Sequence, residues 1–170
     1  VRDSTIVDMV RLALAESGVA PSRLVLEITE GVLIDNPDEI VRRINDLHDL
    51  GVRVALDDFG SGYSNLGYLQ RFPLDKLKID KSFVAALGRS SNGGVIIQAI
   101  AALARALGLS VLVEGVETEH QRVLLRLAGC DEMQGLLFAR PAPAKAIDRL
   151  LAQARQDGKP LATSGEALTG

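Results

Sequence analysis

The sequence predicts an α/β fold built on a parallel sheet. Three observations carry this. Five short apolar runs recur along the chain, stretches with helical periodicity and helix caps fall between and around them, and polar side chains gather at or near the C-terminal ends of the runs. At 170 residues, 47% apolar and 24% charged, the chain suits one globular domain with a sizeable core and is too apolar for a disordered one. The net charge of −3, with no Lys/Arg cluster, argues against a nucleic-acid partner. The single cysteine, Cys130, excludes a disulfide framework and a cysteine-based zinc site, and reads as a small buried residue. This usage fits the cytosol. The start, Val1-Arg2-Asp3-Ser4, is not a signal peptide and has no initiator Met, so the sequence reads as an excised fragment.

The predicted strands are Leu24–Thr29, Val52–Phe59, Leu74–Ile79, Ser110–Val116 and Met133–Phe138. Most look continuously apolar, as in parallel strands covered on both faces. A first helix spans Ile6–Ala15, capped by Asp3 or Ser4, with Gly18 beyond its end. Asn36-Pro37-Asp38-Glu39 is a helix start, with Asn as N-cap and Pro at N1, and that helix runs to near Gly51 with Ile40, Ile44 and Leu47 on one face. Ser64–Arg71 forms a short helix before Pro73. The stretch Val95–Val113 is apolar enough to suggest a membrane span, but Gln98 and Arg105 interrupt it and Gly108 ends a helix. It therefore reads as a buried helix followed by a buried strand, with no membrane contact. Thr118-Glu119-His120-Gln121 resembles a capping box, opening a helix that stops at Gly129. A last helix covers Ala144–Arg155. Residues 1–156 form one partial domain, and 157–170 a flexible, polar tail. His48 and His120 fall in helical patterns and read as surface residues.

The chemistry lies at the strand ends. Glu27 and Glu30 mark the first strand, Asp57-Asp58 the second, Lys78 and Asp80 the third, Glu114 and Glu117 the fourth, and Gln134 the fifth. A single acid there is ordinarily a helix cap or a surface group. Five such strand ends in succession point to a shared site, because parallel α/β folds place active sites at that end. Crowded carboxylates need compensation, and Lys78 alone is too little. Hard oxygen donors without a His/Cys set favour Mg²⁺ or Mn²⁺ over zinc, one or two ions, suited to phosphodiester hydrolysis. Lys78 either stabilises developing charge on a phosphate or orients water; the plain alternative is a salt bridge to Asp80 or Asp57. The loop Asp58-Phe59-Gly60-Ser61-Gly62-Tyr63-Ser64 lacks the ending of a P-loop, and is either a tight turn or a loop over the metal site.

The ordered motifs Leu26-Glu27-Ile28-Thr29-Glu30, Asp57 to Ser64, Leu77-Lys78-Ile79-Asp80, Val113 to Thr118 and Gln134-Gly135 resemble those of EAL domains, the cyclic di-GMP phosphodiesterases. The resemblance covers roughly residues 1–150. It implies a TIM-like (β/α) barrel with one antiparallel strand. It also implies Mg²⁺- or Mn²⁺-dependent hydrolysis of cyclic di-GMP to linear pGpG, inhibition by calcium, a homodimer and a cytoplasmic setting. By motif, Glu27, Asp57 and Asp58 resemble metal ligands, Lys78 the lysine near the catalytic water, and Glu114 the acid beside the metal centre. Gln134 resembles the late glutamine of the site, and Glu30 and Glu117 resemble acids supporting the glycine-rich loop and the site, with Asp80 alongside. The loop Phe59, Gly60, Ser61, Gly62, Tyr63, Ser64 resembles the one that couples dimerisation to metal and substrate.

The sequence departs from the family pattern. Leu136 stands where Tyr is common, and the upstream Glu-Ala-Leu strand with its metal-binding Glu and substrate-binding Arg is absent, as is a metal-binding Asn strand. The literal Glu166-Ala167-Leu168 falls in the tail and is coincidental. A complete barrel takes about 250 residues. The chain therefore reads as the C-terminal two-thirds of such a domain, incomplete at about five of eight strands, with open edges and an uncovered apolar interior, weakly active or inactive alone. A non-catalytic cyclic di-GMP receptor or protein-interaction module is the second reading, and an unrelated metal-dependent α/β enzyme the third.

Overall fold

The computed structural model describes residues 6–60, 66–87, 93–130 and 132–157. Five strands, β1 (Val25–Thr29), β2 (Arg53–Phe59), β3 (Lys76–Ile79), β4 (Ser110–Val113) and β5 (Glu132–Met133), form one sheet in sequence order. Every neighbouring pair is parallel. Sequence order in a parallel sheet is the arrangement of a β/α barrel wall. The helices are α1 (Ile6–Ser17), α2 (Glu30–Asp35), α3 (Pro37–Asp49), α4 (Leu66–Arg71), α5 (Lys81–Ala86), α6 (Gly93–Ala106), α7 (Glu119–Leu127) and α8 (Ala144–Asp157). The expected capping box is present at Thr118 and Gln121. The Val95–Val113 stretch divides into α6 and β4, and no helix among the described residues is long and apolar enough to cross a membrane.

Register assigns the two faces of the sheet. Glu27 pairs with Ala55, Ala55 with Lys76, Lys76 with Ser110, Lys78 with Leu112, and Leu112 with Glu132. Paired residues share a face, and successive residues alternate between faces. One face therefore carries Leu26, Ile28, Val54, Leu56, Leu77, Ile79, Val111 and Val113. From β2 to β4 these are nearly or fully buried, in a cluster with Val84, Ile97, Ala101, Ala104 and Leu125 from the helices. The opposite face carries Glu27, Thr29, Arg53, Lys76, Lys78, Ser110 and Glu132, with Val25, Ala55 and Leu112 among them. This corrects two expectations. The strands are not apolar on both faces, and the open face is polar rather than apolar. Val54-Ala55-Leu56 is continuously apolar, whereas Lys76-Leu77-Lys78-Ile79 alternates residue by residue.

Three further differences stand out. The fifth strand is two residues long, not Met133–Phe138. Past Met133 the chain wraps over Val116, whose N–H donates to the Gln134 carbonyl (3.0 Å) and whose carbonyl accepts from Leu137 N–H (3.0 Å). Helices α2 and α5, six residues each, had no long apolar period to announce them. His48 is not a free surface residue: it is half-buried at the end of α3, and its Nε2 lies 2.9 Å from Asp75 Oδ2. His120 is exposed and Cys130 fully buried, as expected. The first five residues, Ser61–Asn65 and 158–170, with the caps, the glycine-loop tip, the tail and Glu166-Ala167-Leu168 assigned to them, lie outside the described residues. Asp157, which was expected to begin the tail, closes α8.

Candidate functional site

Lys78 is the centre of the site. It sits mid-sheet on the polar face of β3 and is only 5% exposed. Its Nζ lies 2.7 Å from Glu27 Oε2, 2.7 Å from Asp57 Oδ1 and 2.8 Å from Glu114 Oε1. Three neighbouring strands or their ends thus deliver one carboxylate each to one ammonium. Burial pushes the Lys78 pKa down, but hydrogen bonds to Asp57, Glu114 and Glu27 outweigh it and hold the group well above the ordinary lysine value. Of the two salt-bridge partners expected from sequence, Asp57 is present, with Glu27 and Glu114 added. Asp80 is not a partner: its Oδ1 accepts from Ser82 N–H (2.9 Å) and caps α5.

Asp57 and Asp58 pose a geometric problem that the backbone solves. Neighbours in a regular strand point to opposite faces. Here Leu56 pairs with Leu77 but Phe59 with Ile79, so β2 carries one extra residue across this interval, a bulge. Asp58 also adopts φ +54°, unusual outside glycine and best tolerated by Asp or Asn. With that irregularity, one carboxylate oxygen each from Asp57, Asp58 and Glu114 lie within 4.8 Å of one another. Glu114 directly follows β4, and its N–H donates to the Ile79 carbonyl (3.0 Å), which fixes the turn against β3.

The remaining expected residues divide. Glu30, the first residue of α2, accepts from Gly60 N–H through Oε1 (2.9 Å), so it holds the start of the glycine-rich segment. Phe59 is buried in the core cluster. Ser61, Gly62, Tyr63 and Ser64 lie outside the described residues. Gln134 is exposed beside the Glu114 turn, its backbone bonded to Val113 and Val116. Glu117 is exposed, and its N–H donates to Gln121 Oε1 (2.8 Å) at the start of α7; it joins neither carboxylate group. Glu27 stands outside the triad of Asp57, Asp58 and Glu114, linked through Lys78, whereas Glu114, expected as an acid beside the metal, stands inside it. What the sequence did not show was the bulge, because nothing in Asp57-Asp58 marks a break in pairing.

The triad suits a divalent cation. Its donors are hard carboxylate oxygens, and Lys78 beside them is shared among Asp57, Glu114 and Glu27. The EAL domain family matches residues 1–141. The chain belongs to the EAL domain family. It is 45% identical over 157 residues, 92% of this chain and 20% of the relative, to the cyclic di-GMP phosphodiesterase NbdA of Pseudomonas aeruginosa. Among solved structures it resembles the PaMucR phosphodiesterase in complex with c-di-GMP, with TM-score 0.80, 42% identity, and coverage of 86% of this chain and 59% of that one. It also resembles Klebsiella pneumoniae BlrP1 in a manganese and cyclic di-GMP complex, with TM-score 0.75, 34% identity, and coverage of 80% and 35%. This EAL chain therefore spans about a fifth of NbdA and three-fifths of the PaMucR chain.

Proposed function

We propose that this EAL domain contributes the core of a metal-dependent phosphodiesterase site that hydrolyses cyclic di-GMP to linear pGpG. The observation that carries the reading is the convergence of Asp57, Asp58 and Glu114 beside the buried Lys78. Asp57, Asp58 and Glu114 would hold Mg²⁺ or Mn²⁺, with Glu27 as a further ligand for a second ion. When bound, such ions polarise phosphoryl oxygens and make a water nucleophilic at neutral pH. The chain's own residues do the rest. Lys78 holds Glu27, Asp57 and Glu114 in register and presents positive charge where negative charge grows on the phosphate. Glu30 holds Gly60 and so the glycine-rich segment beside the acids. Gln134 borders the Glu114 turn, within the strand-end rim where substrate would lie.

The same reading carries a cytoplasmic setting and a homodimer of the complete domain. It is supported by the metal and cyclic di-GMP complexes of structural relatives and by the named activity of NbdA. The test is turnover of cyclic di-GMP to pGpG by the intact protein with Mg²⁺ or Mn²⁺, and without metal. Metal-dependent pGpG formation is the expected result. Tight binding of cyclic di-GMP by folded protein without turnover would overturn it in favour of a receptor.

A further inference from the structure

The two acid-bearing turns are joined by a residue set that forms no part of the metal reading. Between the end of β2, where Asp57 and Asp58 lead into Gly60, and the turn after β4, which carries Glu114 and Gly115, stands α5. It is rigidly attached to β3: Ile79 is fully buried, Asp80 caps the helix through Ser82 N–H, and Val84 is fully buried. Each neighbouring turn meets α5 at a glycine. A Cβ on Gly60 would lie 2.4 Å from Phe83 Cζ and 2.5 Å from its Cε2. A Cβ on Gly115 would lie 2.4 Å from Lys81 Cβ and 3.2 Å from its Cα. Both glycines have φ in the left-handed region, +91° and +72°. The turns are therefore seated on α5 at a separation that any side chain would widen.

We propose that α5 is a spacer that sets the distance between the bulged Asp57-Asp58 end of β2 and Glu114, and that Phe83 is a positioning residue for the first of them. The proposal deepens the metal-site reading and rests on it for its functional consequence. The ring edge of Phe83 blocks movement of Gly60 toward α5, while Glu30 Oε1 holds the Gly60 N–H. Because Asp58 is in a conformation it does not favour, the turn relaxes when that wall is removed. The same β3–α5 unit carries Lys78, so one element fixes both the central cation and the spacing of the carboxylates around it.

The experiment uses the intact protein and two readouts: Mn²⁺ affinity by titration, and hydrogen exchange of peptides spanning residues 57–60. Phe83→Leu, which keeps apolar bulk but loses the ring edge, is expected to weaken Mn²⁺ binding about tenfold or more and to speed exchange locally. Lys81→Ala keeps the atoms nearest Gly115 and should change neither. Gly60→Ala should be far less damaging in the Phe83→Leu background than in wild type, the mark of a direct steric coupling. Wild-type affinity and exchange in folded Phe83→Leu would overturn the spacer, as would an equal Gly60→Ala effect in both backgrounds. If wild type takes up no Mn²⁺, the metal reading fails instead. Exchange then decides the spacer by itself, with acceleration confined to residues 57–60 supporting it and no change refuting it.

Discussion

The two ends of the sheet manage charge in opposite ways. At the N-terminal ends, charges find partners. Lys76 pairs with Glu132 across to the edge strand. Asp75 accepts from Val54 N–H (2.7 Å) and meets His48 Nε2, while its carbonyl accepts from the N–H of Ser110 (3.0 Å). At the C-terminal ends, Glu27, Asp57 and Glu114 share one lysine, Asp58 joins Asp57 and Glu114, β2 bulges, and Asp58 takes a positive φ. Like charges at close range and a disfavoured backbone both cost free energy. The contrast teaches that charge is paired one to one at one end of this sheet and that several carboxylates share one lysine at the other, the end where β/α barrels place their sites.

The sharpest way to break the contrast is to remove a charge from the crowded end. Asp57→Asn should lower pGpG turnover more than about a hundredfold, since a ligand matters at least as much as the groups that orient it. It should leave the melting temperature unchanged or raised, because one repelling carboxylate is gone; turnover and a thermal melt on the same preparation check both. A loss of stability matching the loss of activity would erase the distinction between the two ends.

Asp75→Ala at the opposite end should invert that pattern. It leaves the buried Val54 N–H without its acceptor and removes the partner of His48, for a loss of about 1–3 kcal/mol in urea unfolding, with turnover retained. The smallest effect belongs to Asp80, the N-cap of α5. As an N-cap its replacement by Ala should cost about 1 kcal/mol. Hydrogen bonds from the Ser82 side chain and then its N–H hold the Asp80 carboxyl below its ordinary value of 3.8. Its ionised contribution is present above that value and fades as pH falls through the lower folded value. The stability gap between wild type and Asp80→Ala should therefore narrow in acid, as paired melts at neutral and acid pH would show.

Much of this was legible in the residues themselves. Pro37 behind Asn36, the Thr118–Gln121 box and Gly108 marked helix ends because caps act locally. The order of the acids relative to the apolar runs placed Glu27, Asp57, Lys78 and Glu114 at one end of a parallel sheet, and the structure brings those four together. Helix α5 and the partner of His48 were not legible, because a six-residue helix has no period to read and a hydrogen bond across 27 positions leaves no local trace.

Sequence alone determined the element order, the parallel α/β class and the identity of the carboxylates, since each follows from periodicity, capping and residue type along the chain. Tertiary structure decided the rest. Only strand register shows that the open face is polar, and only the bulge and the φ of Asp58 show how adjacent aspartates reach one place. Only packing shows that Gly60 and Gly115 are held apart by α5. The physical reason is distance: caps and periods are written within a few residues, whereas a site is made by residues that the sheet brings into contact from strands far apart in the chain.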